Sequence, residues 1–250
     1  MFFELGRKRA AQPRRIRENL PLSPNEERYI LAETVTGQAY MNLSAVRILG
    51  KADMGRMQEI IQATCDRHEA RRTGFEPSSA GGFTKYVEDR ARVRLKFISM
   101  PDASEEALQA AVRAHVYAKG DFSAGALHRF LVIEVAPEDH VVGFGMHHAT
   151  SDGMTSTAFM VELFSRLLGY EINQDPPQYS DYWDFDWKNS EAYKAAEAFW
   201  RERMAGLEAA GVWPADRGNL PRAEVRPGVM LTVPPEIAAA TQRAAEAIGA

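Results

Sequence analysis

Two adjacent histidines, His147 and His148, stand five and four residues ahead of the Asp152-Gly153 pair in the stretch GFGMHHATSDGMT. A neutral imidazole takes or holds a proton near pH 7. One such ring facing a cavity is therefore fitted to general-base work or to hydrogen bonding in a reaction. A metal site needs more than the stretch supplies. Neighbouring residues of a strand point to opposite faces, so His147 and His148 do not share one ion, and no further Cys or His stands at zinc spacing. No metal is expected. A purely architectural account competes with the catalytic one. A histidine at a strand end is commonly a satisfied core residue, Asp is a favoured N-cap, and Gly tolerates a tight backbone. In the catalytic account His148 is the last strand residue, and alternation turns one histidine inward and the other toward an opening. Asp152, after the turn, then touches a histidine or pairs with a buried arginine, because a buried carboxylate needs a partner. The seven residues alone leave both accounts open.

The elements that must carry this motif are legible in the flanking pattern. HVVGFGMHH (140–148) and RFLVIEV (129–135) read as an antiparallel pair across the turn Ala136–Asp139, both too apolar for sheet edges. DGMTSTAFMVELFSRLLGY (152–170) is a long, mostly buried helix starting directly after the motif. Upstream, Ser23-Pro24-Asn25-Glu26 is a helix start with capping-box spacing, predicting a helix to about Glu33. NLSAVRIL (42–49) alternates as a strand that Gly50 ends. Met57, Ile60, Ile61, Thr64 and Cys65 recur at helical spacing, predicting a helix over 53–68 with Cys65 on its packed face. Strands are expected at 73–76, 83–88 and 93–100, and a helix over 104–120 closing on Gly120. Beyond a stretch rich in Pro, Asp and aromatics (173–190), the pattern predicts a helix over 190–207, a short strand at 228–233 and a helix from Pro234. The first 170 or so residues form a self-consistent α+β arrangement.

Composition bounds the rest. A chain of 250 residues with 45% hydrophobic and 26% charged residues is that of a soluble globular protein. No apolar run reaches the ~18 to 20 residues that span a bilayer. The N-terminus has the wrong charge order for a secretory signal, and the single cysteine suits a reducing cytoplasm. A net charge of −4 gives no reason to expect nucleic acid. Arg7, Lys8, Arg9, Arg14, Arg15 and Arg17 form a local basic tract, read as a solvated tail or linker over 1–20 or as a contact for an acidic protein.

The motif does not stand alone. LSPNEERYILAE near the start, GKADMGRMQEIIQATCDRHEARRTGFE (50–76), GDFSAGALHRFLVIEV (120–135), MHHATSDGMTSTAFMVELFSRLLGY (146–170) and YSDYWDFDWKNSEAYKAAEAFWRERMAG (179–206) follow one another in order. In this order and spacing the chain resembles the N-terminal half of nonribosomal peptide synthetase condensation domains, of the chloramphenicol acetyltransferase-like superfamily. The resemblance implies an α+β two-layer sandwich lobe with a mixed, largely antiparallel sheet and packed helices. It implies a lobe over 21–172, then a crossover and the start of an incomplete second lobe over 173–250. It implies amide formation: the amine of an aminoacyl group on one phosphopantetheine arm attacks the acyl or peptidyl thioester on another, in a tunnel between two lobes. His148 is then the catalytic residue, either as general base or as a group that positions the nucleophile and stabilises the tetrahedral intermediate. Asp152 is structural and pairs with Arg72, Gly153 admits substrate and pantetheine, and His147 shapes the loop. No intrinsic cofactor is implied, since the phosphopantetheine belongs to the carrier proteins. Donor and acceptor carrier proteins and the rest of the domain are the implied partners, with no nucleic acid and no membrane.

The remaining candidates have plainer expectations. His68 and Glu69 are supporting or packing residues. Nothing converges on His115, His128 or His140, and His128 stands in ALHR where the family usually has PLLR. The aromatic run Tyr179, Tyr182, Trp183, Phe185 and Trp187 reads as core or interface. The chain on its own is expected to be a fragment with little condensation activity. Two alternatives remain: an ester-forming or CoA-dependent acyltransferase of the same superfamily, and a noncatalytic docking or scaffolding lobe.

Overall fold

The computed structural model describes residues 12–118, 127–182, 189–207 and 232–249. Arg7 to Arg9, Gly120, Trp183, Phe185, Trp187 and residues 228–231 of the expected strand lie outside the described residues. Two units are distinguished, Met1–Ala195 and Ala196–Ala250.

The first unit is α+β, and its described residues form two sheets. Strands β2 (Met41–Leu49), β5 (Leu95–Ser99), β6 (His128–Ala136) and β7 (Asp139–His147) form a four-stranded sheet in the order β2-β7-β6-β5. All its pairings are antiparallel except β5 with β6. The expected central pair is therefore found at the centre. β7 and β2 run in register from Met41 opposite His147 to Leu49 opposite Asp139, with no bulge. Strands β1 (Arg15–Leu20), β3 (Thr73–Pro77) and β4 (Phe83–Glu88) form a smaller antiparallel sheet in the order β1-β4-β3. Residues 15–20, expected to belong to a basic tail, are thus a paired edge strand. Their arginines are held by carboxylates, Arg15 by Glu76 of β3 at 2.6 Å and Arg17 by Glu69 of the 3-10 turn Glu69–Arg71.

Strand alternation divides the larger sheet between two cores. One face carries Phe130, Val132, Val142, Phe144 and Met146, covered by Ile61 and Cys65 of α2 (Met54–Arg67) and Phe159 and Leu163 of α4 (Gly153–Leu167). The other carries Leu131, Ile133 and Val141 under Leu108, Val112 and Val116 of α3 (Glu105–Val116). Helix α3 sits close because β7 turns glycines toward it: a Cβ on Gly143 would lie 2.7 Å from Val112 Cγ1, and one on Gly145 would collide with Val116. Helix α1 (Pro24–Thr36) begins with the full capping box of Ser23 and Glu26 and ends on Gly37 at φ 68°. Ile30 of α1 packs in a third cluster with Phe75, Leu127 and Ala149, which brings α1 against the motif loop.

Within the second unit, the described residues include the C-terminal part of α6 (Glu191–Arg203) and α7 (Pro235–Ala247), and none of the described residues of either helix is buried. The short α5 (Tyr179–Tyr182) precedes α6.

Candidate active site

Strand β7 ends at His147, one residue earlier than expected, and the loop His148–Asp152 leads into α4. His147 is the inward histidine, 2% exposed. Its Nδ1 accepts from the backbone N–H of Ala149 at 3.0 Å, so its proton sits on Nε2 and is donated to Glu33 Oε2 at 2.8 Å. Burial pushes the His147 pKa down, against the opposing pull of Glu33. A neutral ring with both nitrogens engaged is held as a strut, and it ties the motif loop to α1.

His148 is the half-buried histidine. Its backbone N–H donates to Tyr40 O at 2.8 Å, extending the β2–β7 ladder by one bond past the strand end. Its ring stacks on Tyr29 of α1 with centroids 4.8 Å apart and 17° between planes. Asn42 of β2 reaches it across the sheet, with Nδ2 3.4 Å from His148 Nδ1. The same Nδ2 lies 3.2 Å from Ser151 O and 3.1 Å from Ser151 Oγ. Ser151 Oγ in turn donates to His147 O at 2.9 Å. The imidazole thus has a fixed plane and one engaged nitrogen, which is what positioned proton or hydrogen-bond chemistry requires.

The expected Asp152–Arg72 pair is not formed. Asp152 is exposed and caps α4, accepting from Thr155 N–H at 2.7 Å, and that bond holds its carboxyl below the ordinary range. A solvated carboxylate at a helix N-terminus has no need of a buried cation. Arg72 Nη1 instead donates to Glu88 O at 2.6 Å, at the end of β4. The arginine under the loop is its neighbour Arg71, 2% exposed, which donates to Thr150 O. Burial lowers the Arg71 pKa to about 10.

Gly153 opens α4, and a Cβ placed there would meet nothing within 4 Å. A cavity of about 320 Å³ lies against the loop, lined by His68, Thr73, Thr150, Asp152, Gln178 and Tyr179 among others. His68 and Glu69 are tied into supporting contacts. His68 meets Glu162 at 2.8 Å, and Glu69 accepts from Arg17 and from Ser180 Oγ at 2.8 Å. His115 meets Phe130 O at 3.1 Å, while His128 and His140 are buried.

Sequence reasoning did not single out Tyr29, Glu33, Asn42 or Arg71. The available signal was polarity out of place. Glu26 and Glu33 share with Ile30 the buried face of α1, and a buried carboxylate announces a partner.

Residues 16–250 match the family model described as Condensation domain. A plipastatin synthase polypeptide of Bacillus subtilis (strain 168) is 30% identical over 248 residues, 96% of this chain and 7% of that protein. The X-domain in its complex with OxyB from teicoplanin biosynthesis shares the fold at TM-score 0.67 and 24% identity, over 83% of this chain and 47% of the other. The starter condensation domain of rhizomide synthetase RzmA does so at TM-score 0.65 and 17% identity, over 76% and 48%. The chain thus spans about half of these solved structures and a small part of the plipastatin synthase polypeptide. A match over residues 16–250 of 250, with the HHxxxDG loop set at the end of a central strand, places the chain in the condensation-domain family.

Proposed function

We propose that this chain is the first lobe, 21–172, and the beginning of the second, 173–250, of a domain that forms amide bonds between carrier-bound thioesters. The donor is an acyl or peptidyl thioester and the acceptor an aminoacyl thioester. Each is held on the phosphopantetheine of a carrier protein, in the cytoplasm, where a free buried Cys65 stays reduced. His148 is the catalytic group. His147 with Glu33 sets the loop that presents it, and the open space at Gly153 admits the pantetheine. Asp152 caps the helix that follows, and Arg72 secures the end of β4. Among the described residues no helix is long and apolar enough to cross a membrane.

The observation that carries this reading is the presentation of His148: stacked on Tyr29, half-open, with one ring nitrogen engaged. Amine attack on a thioester runs downhill, so alignment and one placed imidazole account for much of the acceleration. The test uses the full-length protein with loaded donor and acceptor carriers. Replacing His148 with Ala is expected to lower product formation by about 10²- to 10³-fold, the scale of losing one transition-state hydrogen bond or proton-transfer group. An unchanged rate supports a second reading, a docking lobe, favoured by the likeness to an X-domain whose solved structure is a complex with OxyB. Product captured as an ester, or formed from an acyl-CoA donor, would support the third.

A further inference from the structure

The two candidate roles of His148 ask for opposite protonation of its free nitrogen, and the geometry around Asn42 distinguishes them. A general base needs a bare lone pair at Nε2. A group that stabilises a developing oxyanion needs an N–H there. Which form exists is set by what Nδ1 faces.

The orientation of the Asn42 amide is fixed from outside the histidine. Ser151 O is a carbonyl and only accepts, and it lies 3.2 Å from Asn42 Nδ2. Ser151 Oγ has given its one proton to His147 O, so toward Asn42, 3.1 Å away, it too presents a lone pair. Exchanging the amide oxygen and nitrogen would set oxygen against oxygen at both contacts. The NH2 group therefore faces Ser151, and its second hydrogen is available to His148 Nδ1 at 3.4 Å. Turning the imidazole over would set a ring C–H against that N–H while the Tyr29 stack stayed the same.

We infer that Asn42 is a positioning residue that holds neutral His148 with its proton on Nε2, so that His148 serves the reaction as a hydrogen-bond donor to the oxyanion and not as its base. The inference rests on the acyl-transfer reading for its consequence, though not for the tautomer itself. As the amine nitrogen bonds to the thioester carbon, the carbonyl oxygen takes the negative charge that Nε2–H meets. When the carbon–sulfur bond breaks, the oxygen returns to a carbonyl and the sulfur leaves as thiolate. The proton shed by nitrogen ends on that sulfur.

The test reads the tautomer and the rate separately. In ¹⁵N-histidine-labelled protein above pH 7.5, the His148 signals, assigned by their loss in H148A, are expected at shifts of an Nε2–H imidazole. Asn42→Asp keeps the shape but offers Nδ1 an acceptor. It should move the proton to Nδ1 and lower the rate about 10- to 100-fold, the scale of a hydrogen bond to a charged group. Asn42→Ala removes the donor only and should cost about 2- to 10-fold. An Nδ1–H ring in the unsubstituted protein overturns the inference without any variant, whatever the stability of the substituted chains. So does an Asn42→Asp protein that keeps the Nε2 proton and the rate. If H148A is inactive while both Asn42 variants leave rate and spectrum unchanged, the inference fails and the acyl-transfer reading stands. If H148A is fully active, that reading fails, and the spectrum still decides the tautomer.

Discussion

Asp152 is joined to the chain by a bond different from the one its motif suggests, and the difference is measurable. Its carboxylate accepts the Thr155 N–H at 2.7 Å and stands in solvent. A capping residue is replaceable by another capping residue, whereas one half of a buried ion pair is not. Asp152→Asn should therefore leave unfolding free energy nearly unchanged, and Asp152→Ala should cost about 1 kcal/mol, read from urea midpoints. If Asp152→Asn costs as much as Asp152→Ala, the carboxylate charge matters and capping is not its main role. The histidines and Asp152 were legible because they sit within six residues of one another. Asn42 lies 106 residues from His148, and Glu33 lies 114 from His147. Neither spacing nor residue type announces such contacts. They exist because β2 zips onto β7 and because Ile30 docks α1 against Ala149. The Asp152–Arg72 expectation went astray for a related reason. Arg71 and Arg72 are adjacent in sequence, and only the 3-10 turn Glu69–Arg71 decides which of them points under the loop.

At the scale of elements, strong periodicity gave the helices and central strands, with ends that move by a few residues. Helix α3 stops at Val116 where 120 was expected, because Arg129 reaches over to take the carbonyls of His115, Val116 and Ala118. Strand β1 escaped notice because RIRENL is mostly exposed and its pattern is that of an edge. Pairing with β4 across some 70 residues is a nonlocal event. The glycines of β7 carry the fit of α3 on the sheet. Gly145→Ala drives a methyl into Val116 and Met41 and should destabilise by about 1 to 3 kcal/mol, as overpacking a dense core does. Gly153→Ala meets open space and sits in the first turn of a helix, so its unfolding midpoint should stay at or above the original. Equal thermal midpoints for Gly145→Ala and the parent protein would show that α3 is not seated by that contact.

At the scale of the whole molecule, buried and half-buried histidines couple folding to pH. Burial is the leading cause that lowers the pKa of His68, His115, His128 and His147, and it takes His128 to about 3. For His128, Arg71 adds repulsion to burial. In the unfolded chain each returns to about 6.5. Between those values the unfolded state binds protons that the folded state refuses, so stability rises with pH across the window. The contribution is whole above about pH 6.5 and is lost progressively as pH falls below it. The carboxylates of Asp89, Asp139, Asp152 and Glu162 have lowered pKa values and add to the loss only below about pH 4, where their unfolded forms take up protons. From pH 7.5 to 5.5 the histidines therefore dominate, and His128 alone should remove about 1 kcal/mol. Urea unfolding at pH 7.5, 6.5 and 5.5 measures the slope. His128→Leu offers a ring-sized apolar replacement in a site closed on all sides, 3% exposed, and should flatten it. A slope unchanged by that substitution would show that the acid sensitivity arises elsewhere. The same measurement bears on the site. Burial lowers the pKa of His147 as well, so acid that favours the unfolded state also acts against the strut that holds the His148 loop.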